Sequence, residues 1–321
     1  MRLVILGAGA IGGVVAGHLS RANRDVLVVA RGAHLAAIRA NGLRVETPTG
    51  AFVARCDATE ASQIAWRPDD VLVIAVKTQD VASALREAAV PAHVPIICLT
   101  NGVEAERIAL RFARDVYAGC VVIPATYLVP GLVQVWAAPL PGLIDLGHYP
   151  DGTGELADAI AGELVVAGFS SIVRPNIMKW KRGKLLSNLM NGAEALSGPT
   201  ARKSELAPLA KAEARACFAA ANLSCVTDTE DAERRTALVN QKIDGAVRAG
   251  GSTWQSLSRG EALETDYLNG EIALLGRLHG VATPINDALQ AIAAEAARAR
   301  AAPGALPLAE LVARVVATPH G

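Results

Sequence analysis

The fold is decided by the opening stretch Leu3-Val4-Ile5-Leu6-Gly7-Ala8-Gly9-Ala10-Ile11-Gly12-Gly13, which leads into an apolar segment rich in glycine and alanine. Residues 3–6 form a short run of β-favouring apolar residues, typical of a strand buried on both faces of a parallel sheet. Residues 14–20 are favourable for a tightly packed helix, and residues 25–30 are predicted to form a second strand. The opening thirty residues therefore predict a strand–helix–strand unit.

The glycines of this unit follow the pattern G-x-G-x-x-G. Gly7 permits a tight turn, Gly9 lets the backbone approach a pyrophosphate, and Gly12 allows the helix to pack close to the strand. The positive end of the helix then faces the phosphates. Small residues also serve plain helix–sheet packing, but the order of elements favours dinucleotide binding. The predicted cofactor contacts in this turn are Gly7, Ala8, Gly9, Ala10, Ile11 and Gly12.

Arg31 stands at the end of the second strand, where dinucleotide-binding proteins choose between two cofactors. An acidic residue at about this distance from the glycines accepts hydrogen bonds from the ribose of NAD, whereas an arginine accommodates the 2′-phosphate of NADP. A solvated loop arginine is the alternative. We predict NADP(H) as the cofactor.

Composition excludes several classes of protein. The chain has 321 residues, with 31 Lys and Arg against 31 Asp and Glu, so it lacks the basic excess of a nucleic-acid-binding protein. Hydrophobic residues make up 51%, which is enough for a large buried core. The uncharged stretch of residues 3–17 is short for a membrane span. We expect neither a nucleic-acid partner nor a membrane.

The five cysteines are widely spaced, and they form no C-x-x-C pair. This pattern argues against a disulfide framework or a zinc cluster and favours the reduced thiols of a cytoplasmic protein. The six histidines form no ligand pair at helical spacing, so we predict no metal site.

Further along the chain, strands alternate with helices. A hairpin is predicted around residues 47–50, and strand-like runs fall at residues 70–76, 95–99, 119–123, 132–136 and 143–146. This alternation indicates a Rossmann-type, doubly wound α/β sheet. After residue 174 the sequence has helical periodicity. We therefore expect an NADP(H)-binding domain at residues 1–174 and an all-helical substrate or catalytic domain at residues 175–321, with the active site in the cleft between them.

Several short motifs now resemble those of the ketopantoate reductases (2-dehydropantoate 2-reductases). They include Ala75-Val76-Lys77, Asn101-Gly102-Val103, Lys184-Leu185-Leu186-Ser187-Asn188, Ser252-Thr253-Trp254-Gln255, and residues 264–270, which read Glu-Thr-Asp-Tyr-Leu-Asn-Gly. The resemblance extends over roughly residues 1–286, and the lysine–asparagine pair followed by the E-x-D-Y-x-N-G motif is its most specific part. It implies NADPH-dependent reduction of a 2-oxo acid to a 2-hydroxy acid, in pantothenate biosynthesis.

The resemblance also implies the roles of individual residues. Lys184 matches the catalytic, proton-donating lysine, and Glu264 matches a glutamate near the cofactor and that lysine. The residues that match substrate contacts are Lys184, Asn188, Asn191 and Ser252. The residues that match further cofactor contacts are Arg31, Lys77, Asn101, Ala125 and Glu264. On one continuous helix starting near residue 176, Lys184, Asn188 and Asn191 would share a stripe.

The departures from the family pattern lie on the substrate side. Gly192 stands where an asparagine is typical, Arg202 aligns near a further asparagine, and Ser256 replaces an aspartate. Arg202 or Arg259 could therefore favour an oxo acid with an additional carboxylate. Two alternatives stay open: a related dehydrogenase of another oxo or hydroxy acid, such as an opine-type substrate, and a non-catalytic NADP(H) sensor. The alanine-rich helical half could pack within one subunit or form a homodimer.

Overall fold

The structure is a computed structural model, and it describes residues 1–248 and 250–317. The strands are β1 (Arg2–Leu6), β2 (Val26–Val29), β3 (Leu43–Thr47), β4 (Gly50–Ala54), β5 (Asp57–Thr59), β6 (Asp70–Ile74), β7 (Ile96–Cys98), β8 (Val116–Val122), β9 (Ala125–Val129), β10 (Leu132–Val135) and β11 (Leu143–His148). The α-helices are α1 (Ala10–Arg21), α2 (Gly32–Asn41), α3 (Val81–Glu87), α4 (Ala105–Ala109), α5 (Glu155–Val166), α6 (Ile177–Asn188), α7 (Asn191–Ser197), α8 (Leu206–Ala220), α9 (Asp228–Arg235), α10 (Ser252–Ser258), α11 (Asn269–His279), α12 (Pro284–Arg298) and α13 (Leu308–Ala317).

Within the described residues, the larger sheet has seven strands in the order β11-β8-β7-β6-β1-β2-β5. All of its pairs are parallel except β11 with β8. The chain passes from β1 outward to β2 and β5, then returns to β6 on the other side of β1. The strand order therefore reverses at β1, as in a doubly wound sheet, and the predicted fold class is confirmed.

The central strand β1 is buried on both faces, as its apolar run predicts. Leu3 and Ile5 belong to the core cluster that contains residues of α1. Val4 and Leu6 belong to a second cluster, which includes residues of α3 and α4. Alternate side chains of a strand point to opposite faces, so an uninterrupted apolar run is required where both faces are covered.

The predicted hairpin forms, but it belongs to a separate sheet. In the part of the chain that is described, β3 and β4 pair with each other, and β3 also pairs with β10 in a four-stranded sheet of order β4-β3-β10-β9. Strands β5 and β9 were not anticipated from the sequence. The segment at residues 132–136 therefore leaves the main sheet, because its partners are the hairpin and β9.

Contacts divide the chain into two compact units. The sheet unit comprises Met1–Lys181 and Asp228–Arg248, and the helical unit comprises Arg182–Thr227 and the chain after Arg248. The domain boundary proposed from the sequence, at residues 174/175, lies a few residues before this division. It also does not anticipate the return of residues 228–248 to the sheet unit.

The returning segment is held to the sheet unit by polar contacts. Arg234 donates hydrogen bonds to both carboxylate oxygens of Asp145, which is buried in β11. The backbone N–H of Gln241 bonds to the carbonyl of Trp136 at 2.9 Å. These partners lie far apart in sequence, so the local pattern of residues 228–248 carries no sign of them.

The helical unit contains the end of α6 together with α7, α8 and α10–α13, and its described residues include no strand. Buried alanines on α7, α8 and α12 allow these helices to pack closely. None of the helices described in the structure is long and apolar enough to cross a membrane.

Candidate functional site

Four of the sequence-predicted cofactor residues follow neighbouring strands of the main sheet. Gly7 follows β1, Arg31 comes shortly after β2, Lys77 after β6 and Asn101 after β7. The strands are parallel, and Leu6 is in register with both Val29 and Ile74. These residues therefore lie along one edge of the sheet, at the point where the strand order reverses. Ligands bind at this place in open α/β sheets.

The glycine turn has the geometry that a dinucleotide requires. Gly7 has a φ of +103°, and a Cβ there would lie 2.9 Å from the backbone nitrogen of Val76. A Cβ on Gly12 would lie 1.9 Å from the Gly7 carbonyl oxygen. Around Gly9, by contrast, no described residue beyond its own chain neighbours has a heavy atom within 4 Å of the position that a Cβ would occupy. Gly7 and Gly12 are needed for packing, whereas the space over Gly9 is open for a ligand.

The first turn of α1 also fits an anion. Gly9 is its N-cap, no side chain caps the free N–H groups, and the first turn carries no acidic residue. Those N–H groups and the positive end of the helix dipole would attract a phosphate. The residues of this turn therefore fit a dinucleotide pyrophosphate.

The residues around this edge are available to a ligand to different degrees. Arg31 is the exposed N-cap of α2, and its guanidinium has no hydrogen bond or ion pair with a described residue. Lys77 and Asn101 are half-buried, and their loops are joined by a hydrogen bond of 3.1 Å from the Thr78 hydroxyl to the Asn101 carbonyl. Ala125 is the half-buried first residue of β9 and lies in the smaller sheet.

In the helical unit, Lys184 and Asn188 lie one turn apart near the end of α6. Both are half-buried, and the spacing i, i+4 places them on one face of the helix. The amide nitrogen of Asn188 is buried and has no hydrogen-bond partner among the described residues. A buried donor without a partner costs free energy, so it is a candidate to bind a ligand.

The close packing of Gly183 fixes this part of α6. A Cβ on Gly183 would lie 2.2 Å from Cγ2 of Val226, so only a glycine permits this approach. The segment before α9 therefore lies directly against the helix at the residue that precedes Lys184.

The two lysines before Lys184 have structural partners in the sheet unit. Lys179 forms an ion pair of 2.8 Å with Glu230. Lys181 is 2% exposed and forms an ion pair with Glu106, which is fully buried, and its ammonium also bonds to the Thr100 carbonyl at 3.2 Å. This buried pair was not anticipated, because the two residues are far apart in sequence and each resembles an ordinary surface residue.

The expectation of one continuous helical stripe is wrong for Asn191. Helix α6 ends at Asn188, and Asn191 opens the separate helix α7. Asn191 is buried, and its side-chain oxygen accepts a hydrogen bond of 2.6 Å from Nη2 of Arg202. The same guanidinium donates from Nε to Glu194 at 2.6 Å.

The sequence suggested that Arg202 or Arg259 could bind an additional carboxylate of the substrate. The guanidinium of Arg202 is held by Glu194, and that of Arg259 forms hydrogen bonds of 2.8 and 2.9 Å with Glu261. A carboxylate of the chain itself therefore already occupies each arginine. Arg202 also donates a hydrogen bond to the side chain of Asn191.

Close packing accounts for a glycine at position 192. A Cβ at this position would lie 3.3 Å from Cγ2 of Thr265 and 3.4 Å from Cβ of Ala293. The first distance is tight for a methyl group, and the second is close to an ordinary van der Waals contact. A larger side chain, such as the asparagine expected from the family pattern, would require Thr265 or Gly192 to shift.

The two remaining candidate residues open short elements of the helical unit. Glu264 is half-buried and begins a 3-10 turn, Glu264–Tyr267, next to the buried Thr265. Ser252 is exposed and begins α10, after its N-cap Gly251. Gly251 also lies close to Glu194, since its Cβ would be 3.4 Å from Oε2 of that carboxylate.

Comparisons with protein families and with individual proteins point to the same family. Residues 3–151 match the family described as Ketopantoate reductase PanE/ApbA, and residues 176–297 match its C-terminal part. A 2-dehydropantoate 2-reductase of Mesorhizobium japonicum is 32% identical over 323 residues, covering 91% of this chain and 96% of its own.

Two solved structures have a similar fold. A PanE/ApbA family ketopantoate reductase from Ralstonia eutropha JMP134 has a TM-score of 0.78 at 26% identity, covering 94% of this chain and 99% of its own. A D-mandelate dehydrogenase in complex with NADH and anilino(oxo)acetate has a TM-score of 0.79 at 22% identity, covering 94% and 99%. At that identity the second likeness concerns the fold alone.

These matches and the fold define the class of protein: an oxidoreductase that acts on CH–OH and C=O groups. Within this class, the chain belongs to the ketopantoate reductase family.

Proposed function

We propose that this protein uses NADPH to reduce a 2-oxo acid to a 2-hydroxy acid, and that the acid is 2-dehydropantoate, which becomes pantoate. The family is the first support. The second is the pair formed by Lys184 and Asn188, half-buried on one face of α6. We further propose a cytoplasmic enzyme with an NADP(H)-binding domain at residues 1–174 and a catalytic domain at residues 175–321.

NADP(H) is favoured over NAD(H) by Arg31. It is exposed at the N-terminus of α2, at the sheet edge that holds the glycine turn, and no described residue pairs with its guanidinium. An arginine offers a planar set of donors that matches a phosphate group. Lys77 and Asn101, at the same edge, are the further cofactor contacts proposed.

The chemistry needs a hydride and a proton. When bound, a reduced nicotinamide supplies the hydride to the carbonyl carbon of the oxo acid. Lys184 then donates a proton from its ammonium to the carbonyl oxygen, which would otherwise carry the negative charge. Glu264 orients that ammonium, while Asn188, Asn191 and Ser252 bind the acid. The C=O bond becomes CH–OH, and the lysine recovers its proton from solvent.

The observation that carries this proposal is the buried amide nitrogen of Asn188. It has no hydrogen-bond partner among the described residues, and it lies one turn from Lys184. An acceptor on the substrate would satisfy it, and would bring that substrate beside the proton donor. Burying this donor without a partner costs free energy, and a bound ligand that accepts from it would recover that cost.

The test is a panel of 2-oxo acids with NADPH, followed by the loss of NADPH absorbance. The proposal predicts turnover with 2-dehydropantoate at a higher kcat/KM than with any other acid of the panel. Binding of NADPH without turnover of any acid would indicate the sensor alternative. Turnover that favours another acid would retain the reductase but change its substrate.

A related dehydrogenase of another oxo or hydroxy acid, including an opine-type substrate, is the second candidate. It is favoured by the substrate side of the helical unit, where Gly192 replaces the typical asparagine and Asn191 is bonded to Arg202. The same panel separates the two candidates. A gel-filtration measurement at assay concentration would test the possible homodimer.

A further inference from the structure

His34 is a buried polar residue that the reaction does not use. It lies in the first turn of α2, three residues after the N-cap Arg31, and its ring makes two hydrogen bonds to backbone groups. Nε2 lies 2.8 Å from the carbonyl oxygen of Ala8, and Nδ1 lies 2.8 Å from the backbone nitrogen of Gly131. The three residues belong to three separate segments of the sheet unit.

These partners determine the protonation state of the ring. A carbonyl oxygen only accepts and a backbone N–H only donates, so Nε2 carries the proton and Nδ1 is bare. Burial lowers the pKa of the imidazole below its ordinary value, and the bond to Ala8 offsets this only in part. The ring is therefore neutral near neutral pH, and both of its nitrogens are satisfied.

The bond to Ala8 acts on the glycine turn itself. In a trans peptide the C=O and the following N–H point in opposite directions, so a fixed Ala8 carbonyl also fixes the direction of the Gly9 N–H. Gly9 is the glycine with open space over it. Gly13 makes room for the same carbonyl, because a Cβ there would lie 2.8 Å from the Ala8 oxygen.

The hydrogen bond from the Gly131 N–H to His34 connects α2 with the smaller sheet. Gly131 forms the turn between β9 and β10, and a Cβ there would lie 2.9 Å from Cβ of Ala37, one turn after His34 on α2. The ring of Tyr127 on β9 packs against the imidazole, with 4.5 Å between the ring centroids. Ala125, a proposed cofactor contact, lies two residues earlier on the same face of β9.

We propose that His34 is a positioning residue for the cofactor, holding the Ala8–Gly9 peptide of the glycine turn in register with α2 and the β9–β10 turn. This role rests on the proposed function, since it presupposes that the glycine turn binds NADP(H). His34 touches neither the reacting atoms nor, in this proposal, the cofactor itself; it acts through the Ala8–Gly9 backbone, which is proposed to bind the cofactor pyrophosphate. Three proposed cofactor-contact segments, at Gly9, Arg31 and Ala125, meet through this one side chain.

The experiment measures NADPH affinity by fluorescence titration of the full chain, without the oxo acid. His34→Leu should raise the Kd for NADPH about five- to tenfold, the worth of one lost hydrogen bond. At saturating NADPH its kcat should stay within about twofold of the wild type, because the group that donates the proton is untouched. His34→Gln, which retains a donor and an acceptor, should recover most of the affinity.

Ile38→Val is the matched control. Ile38 is buried on the same helix but makes no polar link, so this variant should unfold at a lower temperature and bind NADPH as the wild type does. Hydrogen exchange without any ligand adds an independent readout. The backbone amide of Gly131 should exchange faster in His34→Leu than in Ile38→Val.

The experiment distinguishes failure of the role proposed for His34 from failure of the proposed function. A folded His34→Leu variant that binds NADPH as tightly as the wild type would refute the positioning role, and so would a Kd that rises equally in Ile38→Val. If the wild type itself binds no NADPH, the proposed function fails instead. Faster exchange at Gly131 together with weaker NADPH binding would support the role of His34.

Discussion

Arg202 donates a hydrogen bond of 2.6 Å from Nη2 to the side-chain oxygen of Asn191. Because an arginine only donates, this bond assigns the oxygen of the Asn191 amide and leaves its NH2 group as the donor. The NH2 group of Asn188, three residues earlier, is a buried donor with no partner in the described part of the chain. Under the proposed function, the carboxylate of the oxo acid would therefore meet neutral amide donors, with the guanidinium of Arg202 bonded to one of the two amides.

Arg202→Ala should therefore weaken the binding of every oxo acid to a similar degree. The reason is that Arg202 acts through Asn191, so the loss does not depend on an extra carboxylate in the substrate. We expect KM to rise about tenfold across a panel of oxo acids, with no change in the Kd for NADPH. Arg259→Ala, which removes an arginine paired with Glu261, is the control and should leave both constants unchanged. A rise confined to a single dicarboxylic substrate would contradict the expectation.

Lys184→Ala should lower kcat by about two to four orders of magnitude, the usual worth of a positioned proton donor. NADPH affinity should stay at the wild-type value, because the glycine turn is unchanged. Lys179→Ala is the matched control, since Lys179 lies on the same helix and pairs with Glu230. Its kcat should be close to that of the wild type. Equal kcat in the two variants would remove Lys184 from the mechanism.

Arg31→Asp should abolish the preference for the phosphorylated cofactor. A hydrogen-bonded charge pair with the 2′-phosphate would be lost and replaced by repulsion, so the ratio of kcat/KM for NADPH to that for NADH should fall by at least about tenfold to a hundredfold. Arg39→Ala, on the same helix, serves as the control because its guanidinium bonds to the Ala58 carbonyl. An unaltered ratio in Arg31→Asp would exclude the role assigned to Arg31.

His18 should make the free energy of unfolding depend on pH. Burial on α1, between the rings of Phe52 and Phe169, lowers its pKa from 6.5 to about 4. Between these two values the unfolded chain takes up a proton that the folded chain does not, so stability is lost as the pH falls from about 6.5 to about 4. At 1.36 kcal/mol per pH unit the loss amounts to about 3 kcal/mol.

The check is chemical unfolding of the wild type and of His18→Leu across that range of pH. Carboxylates titrate in both proteins, so the quantity to compare is the difference between the two slopes. The wild type should lose more stability than the variant on acidification. Parallel curves would show that His18 does not titrate in this way.

Some elements could be predicted from short stretches of sequence, because the residues within each stretch are typical of that element. The run at residues 3–6, the glycine turn and the hairpin around residues 47–50 all formed where they were predicted, because burial on two faces, tight turns and strand alternation leave marks within a few residues. Strand β5 has only three residues, and β9 is partly exposed and directly follows another strand, so neither was separated from its surroundings. The separate sheet of β3, β4, β9 and β10 depends on pairing across some 90 residues.

In the candidate site, too, residues with a local sequence pattern could be predicted, and residues that depend on distant partners could not. The cofactor residues could be predicted because a parallel sheet brings the loops after its strands to one edge. The break between α6 and α7 at residues 189–190 was missed, since the apolar residues there suit a continuing helix. His34, Lys181 and Glu106 were missed because their partners are distant in sequence, and only the folded chain brings them together.

The contact between Gly192 and Thr265 has an evolutionary consequence. Thr265 directly follows Glu264, so an asparagine restored at position 192 would press on the segment that holds the proposed partner of Lys184. The effect of that single replacement should therefore depend on what occupies position 265, which is epistasis between the two positions. An asparagine at position 192 is therefore expected to be tolerated better together with a smaller residue at position 265.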